Sequence, residues 1–424
     1  MKLHIPLVIL ALLLAPAWAE EAVKETITLT SDKVASESFT ETSAGNGMFY
    51  SDSNGVAFIS AGSKENPYTI GSADDTHADQ DGISLSEGGA ASVSVGSFTG
   101  DSSLIIGNGT DAVHVTTENG LFVGGYGWHG TSGWRTNASL ISNTRGTMEF
   151  AAHEGSIVVN KGSTLEVGTG LGTDFQTLAG AQLYIGHGAK GTVTVDGGEL
   201  ISHAFIGIST SSSTSDDNSG LLEIKNGGTA RIVASPEEMG MNGYSYGQLL
   251  VGSSNQGVGS IVVSGEGSSL VVESSSSLDE KGQQYYTFVS VGQGAGTEGE
   301  LSVADGASLQ LGTETGATVQ VSIGEASGTG ALNVSTGASA DVAGTLIVGY
   351  SGTGEVNINT GASMTQDNGA VLVGYGSNGS GAVNVQAQSS LQAESVSIGT
   401  GGAAGALNIA ETATMPSLYV RHDT

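Results

Sequence analysis

The chain has 424 residues and a formal net charge of −30, because 42 acidic residues are set against only 12 basic ones. A field of this sign repels nucleic acid and anionic membranes, so neither is expected as a partner. The chain has no cysteine, which excludes disulfides, and its 68 glycines each disfavour a helix by about 1 kcal/mol relative to alanine.

The first residues have the pattern of a secretory signal peptide that spans residues 1–19. Lys2 supplies the positive charge, residues 5–14 are apolar, and Ala17 and Ala19 are small residues at the expected cleavage positions. No later segment reaches the ~20 apolar residues that a membrane helix needs. We therefore expect a secreted chain that is cut after Ala19.

Residues 20–120 are predicted to form an irregular N-terminal part of the fold or a cap. The densest acidic cluster of the chain lies here and consists of Asp74, Asp75, Asp79 and Asp81. The spacing approaches that of a calcium loop, but His77 stands at the first ligand position, and calcium prefers oxygen ligands. A solvated acidic loop is the favoured interpretation and a calcium site is the alternative. No other cofactor is predicted.

Residues 121–182 are expected to form Gly-rich, irregular rungs that carry an aromatic loop. This loop contains Tyr126, Trp128 and Trp134, and its two tryptophans are the only ones after the predicted leader. Aromatic rings on a loop can stack on the apolar faces of sugars, which makes these residues candidates for ligand binding. The alternative is a loop that packs against the side of the fold.

Residues 183–424 are predicted to consist of regular repeats. Gly324, Gly349, Gly374 and Gly399 each follow Ile or Val and stand 25 residues apart. The same pattern recurs earlier with uneven spacing, at Gly186, Gly207, Gly252 and Gly292. Inserts of loop composition explain the uneven spacing, because a long surface loop adds little closure entropy. A fixed period of roughly 20–50 residues indicates stacked rungs.

After each glycine comes an apolar-x-apolar triplet, which predicts a short strand with one buried face. Like positions recur in the same chain direction, so stacked rungs would pair in parallel about 4.8 Å apart. The predicted fold is all-β: a parallel β-solenoid with rungs of about 25 residues, most simply a right-handed β-helix. A propeller blade would be longer, at roughly 40–50 residues, and an antiparallel sandwich has no reason to repeat at this period.

Two outward-facing series of residues follow from this fold. The middle residue of the last four triplets is asparagine, at Asn333, Asn357, Asn384 and Asn408. We expect these amides to form a hydrogen-bonded ladder along the axis, as stacked amides do in cross-β structures. Tyr350 and Tyr375 follow their glycines in adjacent rungs and are expected to stack on each other.

Catalytic patterns are absent from the sequence, and we predict that the protein is not an enzyme. The Gly186-His187-Gly188 segment resembles the Gly-His-Gly of β-helical polygalacturonases. The Asn-Thr-Asp element of those enzymes is missing, however, and Gly186 occupies an ordinary repeat position. The basic residues do not cluster, and the negative field would repel uronic acid substrates.

The repeat unit at residues 348–358, VGYSGTGEVNI, resembles the repeats of bacterial autotransporter passenger domains and of Verrucomicrobia-type surface proteins. The resemblance extends over residues 183–410. It implies an exported parallel β-helix at the cell surface of a Gram-negative bacterium, associated with its outer membrane or released from it. The implied role is that of an adhesin, with a host or matrix surface, including its glycans, as partner.

One departure from this family concerns the C-terminal end. Autotransporters end in a β-barrel, whereas this sequence stops at Thr424 soon after its last repeat. We expect a truncated sequence whose barrel is missing, or a separate outer-membrane translocator as partner. The predicted function is therefore non-enzymatic surface display or adhesion. The alternative is a β-helix protein that binds or degrades polysaccharide.

Overall fold

The computed structural model describes short segments between residues 25 and 125 and a longer body after residue 153. The predicted signal peptide, residues 1–19, lies outside the described residues. The ranges described in the longer body are 154–168, 182–203, 205–210, 218–233, 248–253, 256–274, 287–313, 319–415 and 420–422. No helix in these ranges is long and apolar enough to cross a membrane.

All the described regular elements are strands. The first ten are β1 (Glu25–Thr30), β2 (Tyr50–Ser51), β3 (Ala57–Ile59), β4 (Gly62–Ser63), β5 (Asn66–Ile70), β6 (Ile83–Ser84), β7 (Val93–Val95), β8 (Ser102–Ile106), β9 (Val113–Thr117) and β10 (Leu121–Gly125). The next fourteen are β11 (Gly155–Asn160), β12 (Thr164–Val167), β13 (Gln182–His187), β14 (Gly191–Asp196), β15 (Glu199–His203), β16 (Phe205–Ile208), β17 (Ser219–Lys225), β18 (Thr229–Val233), β19 (Gln248–Ser253), β20 (Val258–Ser264), β21 (Ser269–Val272), β22 (Thr287–Gln293), β23 (Glu298–Ala304) and β24 (Ser308–Leu311). The last twelve are β25 (Val319–Glu325), β26 (Thr329–Val334), β27 (Ser339–Ala343), β28 (Thr345–Tyr350), β29 (Thr353–Ile358), β30 (Ser363–Asp367), β31 (Val371–Tyr375), β32 (Ser380–Val385), β33 (Ser390–Ala393), β34 (Val396–Thr400), β35 (Ala404–Ile409) and β36 (Val420–His422).

These strands form three long sheets. Sheet 1 has the order β6-β1-β9-β12-β15-β18-β21-β24-β27-β30-β33. Sheet 2 has the order β2-β3-β7-β10-β13-β16-β19-β22-β25-β28-β31-β34-β36, and sheet 3 has the order β4-β5-β8-β11-β14-β17-β20-β23-β26-β29-β32-β35. Neighbours in the regular part are parallel, whereas β2–β3 and β4–β5 near the N-terminal end are antiparallel. Three parallel sheets wound in this way define a parallel β-solenoid, which confirms the predicted fold class.

Each rung contributes one strand to each sheet. In one regular rung, β28 belongs to sheet 2, β29 to sheet 3 and β30 to sheet 1. In sheet 2, Leu346 pairs with Val371 and Val371 pairs with Val396, so the predicted rung length of 25 residues is confirmed here. In the middle of the chain, Leu249 pairs with Val289, 40 residues later, and the strands stay in register. The handedness of the coil remains a prediction.

One apolar core runs along the inside of the coil. Inward and outward residues alternate along each strand, as the period of two requires. In the β28–β29–β30 rung the inward side chains are at most 1% exposed, and they are Leu346, Val348, Val356, Ile358 and Met364. Burying one such side chain contributes about 1.5–3 kcal/mol. Because each rung covers the next, this apolar column replaces the disulfides that the chain lacks.

A glycine makes the bend between sheet 2 and sheet 3 in nearly every rung. Gly349 has a φ of 78°, and a Cβ at this position would collide with the carbonyl oxygen of Ser380 in the next rung. The bend therefore needs both a left-handed backbone and the absence of a side chain. The same collision exists at Gly124, Gly186, Gly252, Gly292, Gly324 and Gly374.

The predicted alignment of Gly207 with these glycines is wrong. Gly207 pairs with Tyr184, so Ser209 is the residue in register with Gly186. Both isoleucines that flank Gly207 are fully buried in the core, and their burial decides the register. Ser209 has a φ of 54° and is itself fully buried, and its hydroxyl donates to the carbonyl oxygen of Asn218 over 2.8 Å.

The predicted asparagine ladder is confirmed on the outer face of sheet 3. Asn357 donates to the Oδ1 of Asn333 over 3.0 Å, Asn384 donates to Asn357 over 2.8 Å, and Asn408 donates to Asn384 over 2.7 Å. Asn333 donates in turn to the Oε1 of Glu300 over 2.9 Å. All four amides therefore point the same way along the axis, and a carboxylate accepts at one end.

The bend makes a direct prediction for Gly349→Ala. The new methyl group would meet the neighbouring rung, and the left-handed backbone would be strained, so we expect a loss of at least about 2 kcal/mol in the free energy of unfolding. Gly337→Ala is the matched control, because Gly337 has a φ of 75° and open space around it. It should lose only about 1 kcal/mol. Equal losses in urea unfolding of the two variants would contradict this account.

The ladder makes a second prediction. Asn357→Ala removes one donated and one accepted amide bond in mid-ladder, and should cost about 1–2 kcal/mol in the free energy of unfolding. Asn408→Ala removes one donated bond at an exposed position and should cost less than half as much. Thermal or urea unfolding measures both values. A larger cost at Asn408 would show that the ladder does not stabilise the stack cooperatively.

Candidate functional site

A line of mixed side chains follows the glycine bends along the outside of sheet 2. It consists of Gln293, Glu325, Tyr350, Tyr375 and Thr400, and is called the outer ridge below. The backbone carbonyl of each later member accepts an N–H from the rung before it, such as Ala326 N–H to Tyr350 O at 3.0 Å. The ridge therefore presents one side chain per rung, about 4.8 Å apart.

The two tyrosines form the aromatic part of the ridge. Their ring centroids are 5.6 Å apart with an interplanar angle of 39°, so Tyr350 and Tyr375 are in contact as predicted, but the rings are tilted and do not stack in parallel. The Tyr350 ring lies beside Gly376 of the next rung, where an added Cβ would be 3.6 Å from two ring carbons. Both side chains are half-buried, so each ring keeps part of its surface open to solvent.

Glu325 is the charged member of the ridge. Burial raises the pKa of its carboxyl group, and hydrogen bonds from Ser290 and Gln293 partly oppose that rise. The Ser290 hydroxyl donates to Oε2 of Glu325 over 3.0 Å. The carboxylate is thus held against the preceding rung, one rung before Tyr350 in the ridge.

Thr400 is the last member of the ridge among the residues that the structure describes. Thr400 as a whole is half-buried. Its hydroxyl oxygen is fully buried and has no hydrogen-bond partner among the residues that the structure describes. Taken together, the ridge offers apolar ring surface with an amide and a carboxylate on its N-terminal side. Aromatic surface with a few placed polar groups is the chemistry by which proteins recognise polar organic ligands such as sugars.

A second cluster lies on the outer face of sheet 1. Glu166 of β12 accepts hydrogen bonds from two imidazoles on neighbouring rungs, His114 Nε2 and His203 Nε2, each at 2.8 Å. Burial alone would raise the pKa of Glu166, but the hydrogen bonds and charges of the two histidines outweigh it and lower the pKa. The three side chains are only 20–25% exposed, so the cluster joins three rungs from the outside.

A third cluster is aromatic and buried against the outside of sheet 2. Phe122 and Tyr184 stack at 4.8 Å, and Phe205 packs against Tyr184 at 5.3 Å. His187 packs on Tyr184 at 4.8 Å, and burial lowers its pKa to about 4. Burial also raises the pKa of Tyr184. The histidine of the Gly-His-Gly segment is therefore a neutral packing residue at neutral pH.

A shallow depression of about 160 Å³ lies on the outer face of sheet 1. Its polar lining comes from Gln310, Thr313, Asp341, Asp367 and Asn368. Oxygen ligands of this kind suit calcium. Within the described ranges, however, no group of three or more histidine, aspartate or glutamate side chains is arranged to hold a metal ion.

The site residues proposed from the sequence lie outside the described residues. This holds for the aromatic loop residues Tyr126, Trp128 and Trp134, and for the acidic cluster Asp74, Asp75, Asp79 and Asp81. Both sets remain predictions.

Sequence reasoning found the tyrosine pair through its 25-residue spacing, but missed Glu325 one rung before it and the His114–Glu166–His203 cluster. The three members of that cluster are 52 and 37 residues apart, and no local motif marks them.

The fold and these clusters define a parallel β-solenoid with polar and aromatic columns on its outside. No family model matches the chain, and no curated protein matches it. Among solved structures it is similar to the crystal structure of a TibC-catalysed, hyper-glycosylated TibA fragment, residues 55–350. The two are 17% identical over 82% of this chain and 97% of that chain, with a TM-score of 0.16. A TM-score this low carries no argument, so the fold class rests on the strand pairing described above.

The Glu166 cluster predicts a pH-dependent contribution to stability. Because the folded-state pKa of Glu166 is lowered, its contribution is complete above the ordinary value of 4.5 and is lost as the pH falls through the folded-state pKa. Glu166→Gln should cost about 1–3 kcal/mol at pH 7 and should flatten this acid dependence. The control is Glu223→Gln, which breaks a single, more exposed ion pair with Lys225 and should cost about 0–1 kcal/mol. Unfolding curves between pH 3 and pH 7 test both expectations.

Proposed function

We propose that the chain is a secreted or surface-displayed β-solenoid that acts without catalysis, in adhesion or as part of a surface structure. The observation that carries this proposal is the regularity of the outer columns over one unbroken core. Such a body presents one outward side chain per rung along each column, which provides contact area rather than a single reaction centre. An adhesin needs area, whereas a catalytic site needs groups that converge on one substrate atom.

Export across the inner membrane is supported by the leader pattern of residues 1–19. The chain has no cysteine, so apolar stacking of the rungs supplies its stability without disulfides. The resemblance of the repeats to autotransporter passengers favours the surface of a Gram-negative cell. A host or matrix surface is the proposed partner, and an outer-membrane translocator the proposed route.

The negative charge is consistent with display in solution. With a formal net charge of −30, copies of the chain repel one another, and repulsion of this kind discourages edge-to-edge association of long sheets. It also disfavours anionic partners. The proposed targets are therefore neutral or basic surfaces.

Polysaccharide binding is the second candidate function, and the outer ridge is the observation that favours it. Its tyrosine pair, with an amide and a carboxylate beside it, has the composition of a sugar-binding surface. Polysaccharide degradation would need a second acidic group opposite Glu325, and the ridge does not supply one from the residues that the structure describes.

Expression of the full chain in a Gram-negative host tests the proposed export. We expect a mature protein that begins at Glu20, outside the cytoplasm, and sensitive to protease added to whole cells if it reaches the surface. A variant that lacks residues 2–19 is the control and should stay in the cytoplasm. An uncut chain found in the cytoplasm would overturn the proposal. Adhesion is tested separately by adding beads coated with the purified chain to matrix-coated plates. Bound beads support adhesion, and the absence of binding indicates a purely structural role.

A further inference from the structure

We propose that the outer ridge is a binding site for a neutral polysaccharide, whose chain lies along the axis of the solenoid. This inference rests on the second candidate function, polysaccharide binding, and deepens it by naming the class of polymer, a neutral one, and the direction in which the polymer lies. It does not depend on where the cell places the protein. The tyrosine pair Tyr350 and Tyr375 forms the centre of the site, and Gln293 and Glu325 extend it toward the N-terminal rungs.

The spacing of the ridge matches an extended chain of sugars. The Tyr350 and Tyr375 ring centroids are 5.6 Å apart, which is close to the length of one pyranose unit. Successive rungs continue at about 4.8 Å. A polysaccharide that follows the axis therefore meets a new side chain at roughly every sugar, first an amide, then a carboxylate, then two rings.

The tyrosine rings supply the apolar part of the contact. Sugar rings carry C–H groups on their faces, and these pack on aromatic surface that would otherwise face water. Both rings are half-buried and in contact with each other, and the Tyr350 ring lies against Gly376 of the next rung, so their orientation is set before a ligand arrives. A preorganised ring loses little conformational entropy on binding.

The polar part of the contact comes from Glu325 and its neighbour. An ionised carboxylate has about four acceptor positions, and the described hydrogen bonds to Glu325 come from two groups, Ser290 and Gln293. The remaining positions can accept from sugar hydroxyl groups. Hydrogen bonds to a charged acceptor are stronger than those between neutral groups. Glu325 therefore contributes affinity and also fixes the position of the sugar chain along the ridge.

Charge selects neutral sugars over acidic ones. Residues 282–420, which contain the whole ridge, have ten acidic residues and no Lys or Arg. A uronic acid or sulfated polymer would meet this field without a cationic partner and would be repelled. A neutral polymer meets no such barrier.

Affinity gel electrophoresis of the purified full chain provides the test, with hydroxyethylcellulose or galactomannan as the neutral probe and polygalacturonate as the anionic one. We expect retardation by a neutral probe and none by polygalacturonate. Tyr350→Ala and Tyr375→Ala should each weaken binding about tenfold, which corresponds to roughly 1.4 kcal/mol. Phe288→Ala is the matched control, because Phe288 is a half-buried aromatic on the same face of sheet 2 outside the ridge, and it should bind like the unchanged chain.

Two further variants separate binding from folding. Tyr350→Phe keeps the ring and should keep most of the affinity, and Glu325→Gln keeps the shape but loses the charge and should weaken binding severalfold. Melting temperatures of all variants are measured beside the affinities. The proposal is overturned if neither neutral probe binds, if polygalacturonate binds as well as they do, or if Phe288→Ala weakens binding as much as Tyr350→Ala. These results leave the export experiment unaffected, so the two proposals can fail separately.

Discussion

Hydrogen bonding between successive rungs is the interaction on which the rest of this structure depends. Each strand pairs in parallel with the strand of the next rung, so the same position of every rung is stacked on its equivalent. From this stacking follow the continuous core, the amide ladder and the outer ridge. A slip of one residue would turn the inward side chains outward, which makes register the quantity that the sequence must encode most strongly.

The glycine bend is the constraint that keeps the stack compact. At Gly349 and its equivalents, a side chain would occupy the space of the next rung's backbone. Ser209 shows how the bend is made without glycine. Its backbone is left-handed, and its hydroxyl is bound to a carbonyl oxygen, so the side chain is used as a hydrogen-bond donor inside the turn.

Stacking also explains how groups that are distant in the sequence become a site. A solenoid brings together residues that are one rung apart, whatever the length of the loops between them. Glu325, Tyr350 and Tyr375 are neighbours for this reason, and so are His114, Glu166 and His203. The first set lies in the regular part, where a rung has a constant length. The second lies where inserts vary, and only the folded chain shows that its members meet.

The sequence by itself determined the fold class, the parallel pairing, the 25-residue rung and the asparagine ladder, because each depends on a short pattern repeated at constant spacing. It also determined the net charge of −30, on which the expectations about partners rest. Only the tertiary structure decided that Ser209, not Gly207, makes the bend, because burial of the two flanking isoleucines outweighs the Ile-Gly pattern. It likewise decided which side chains stand beside Tyr350 and beside Glu166, since contacts between rungs of unequal length depend on register, and register is set by packing of the whole core.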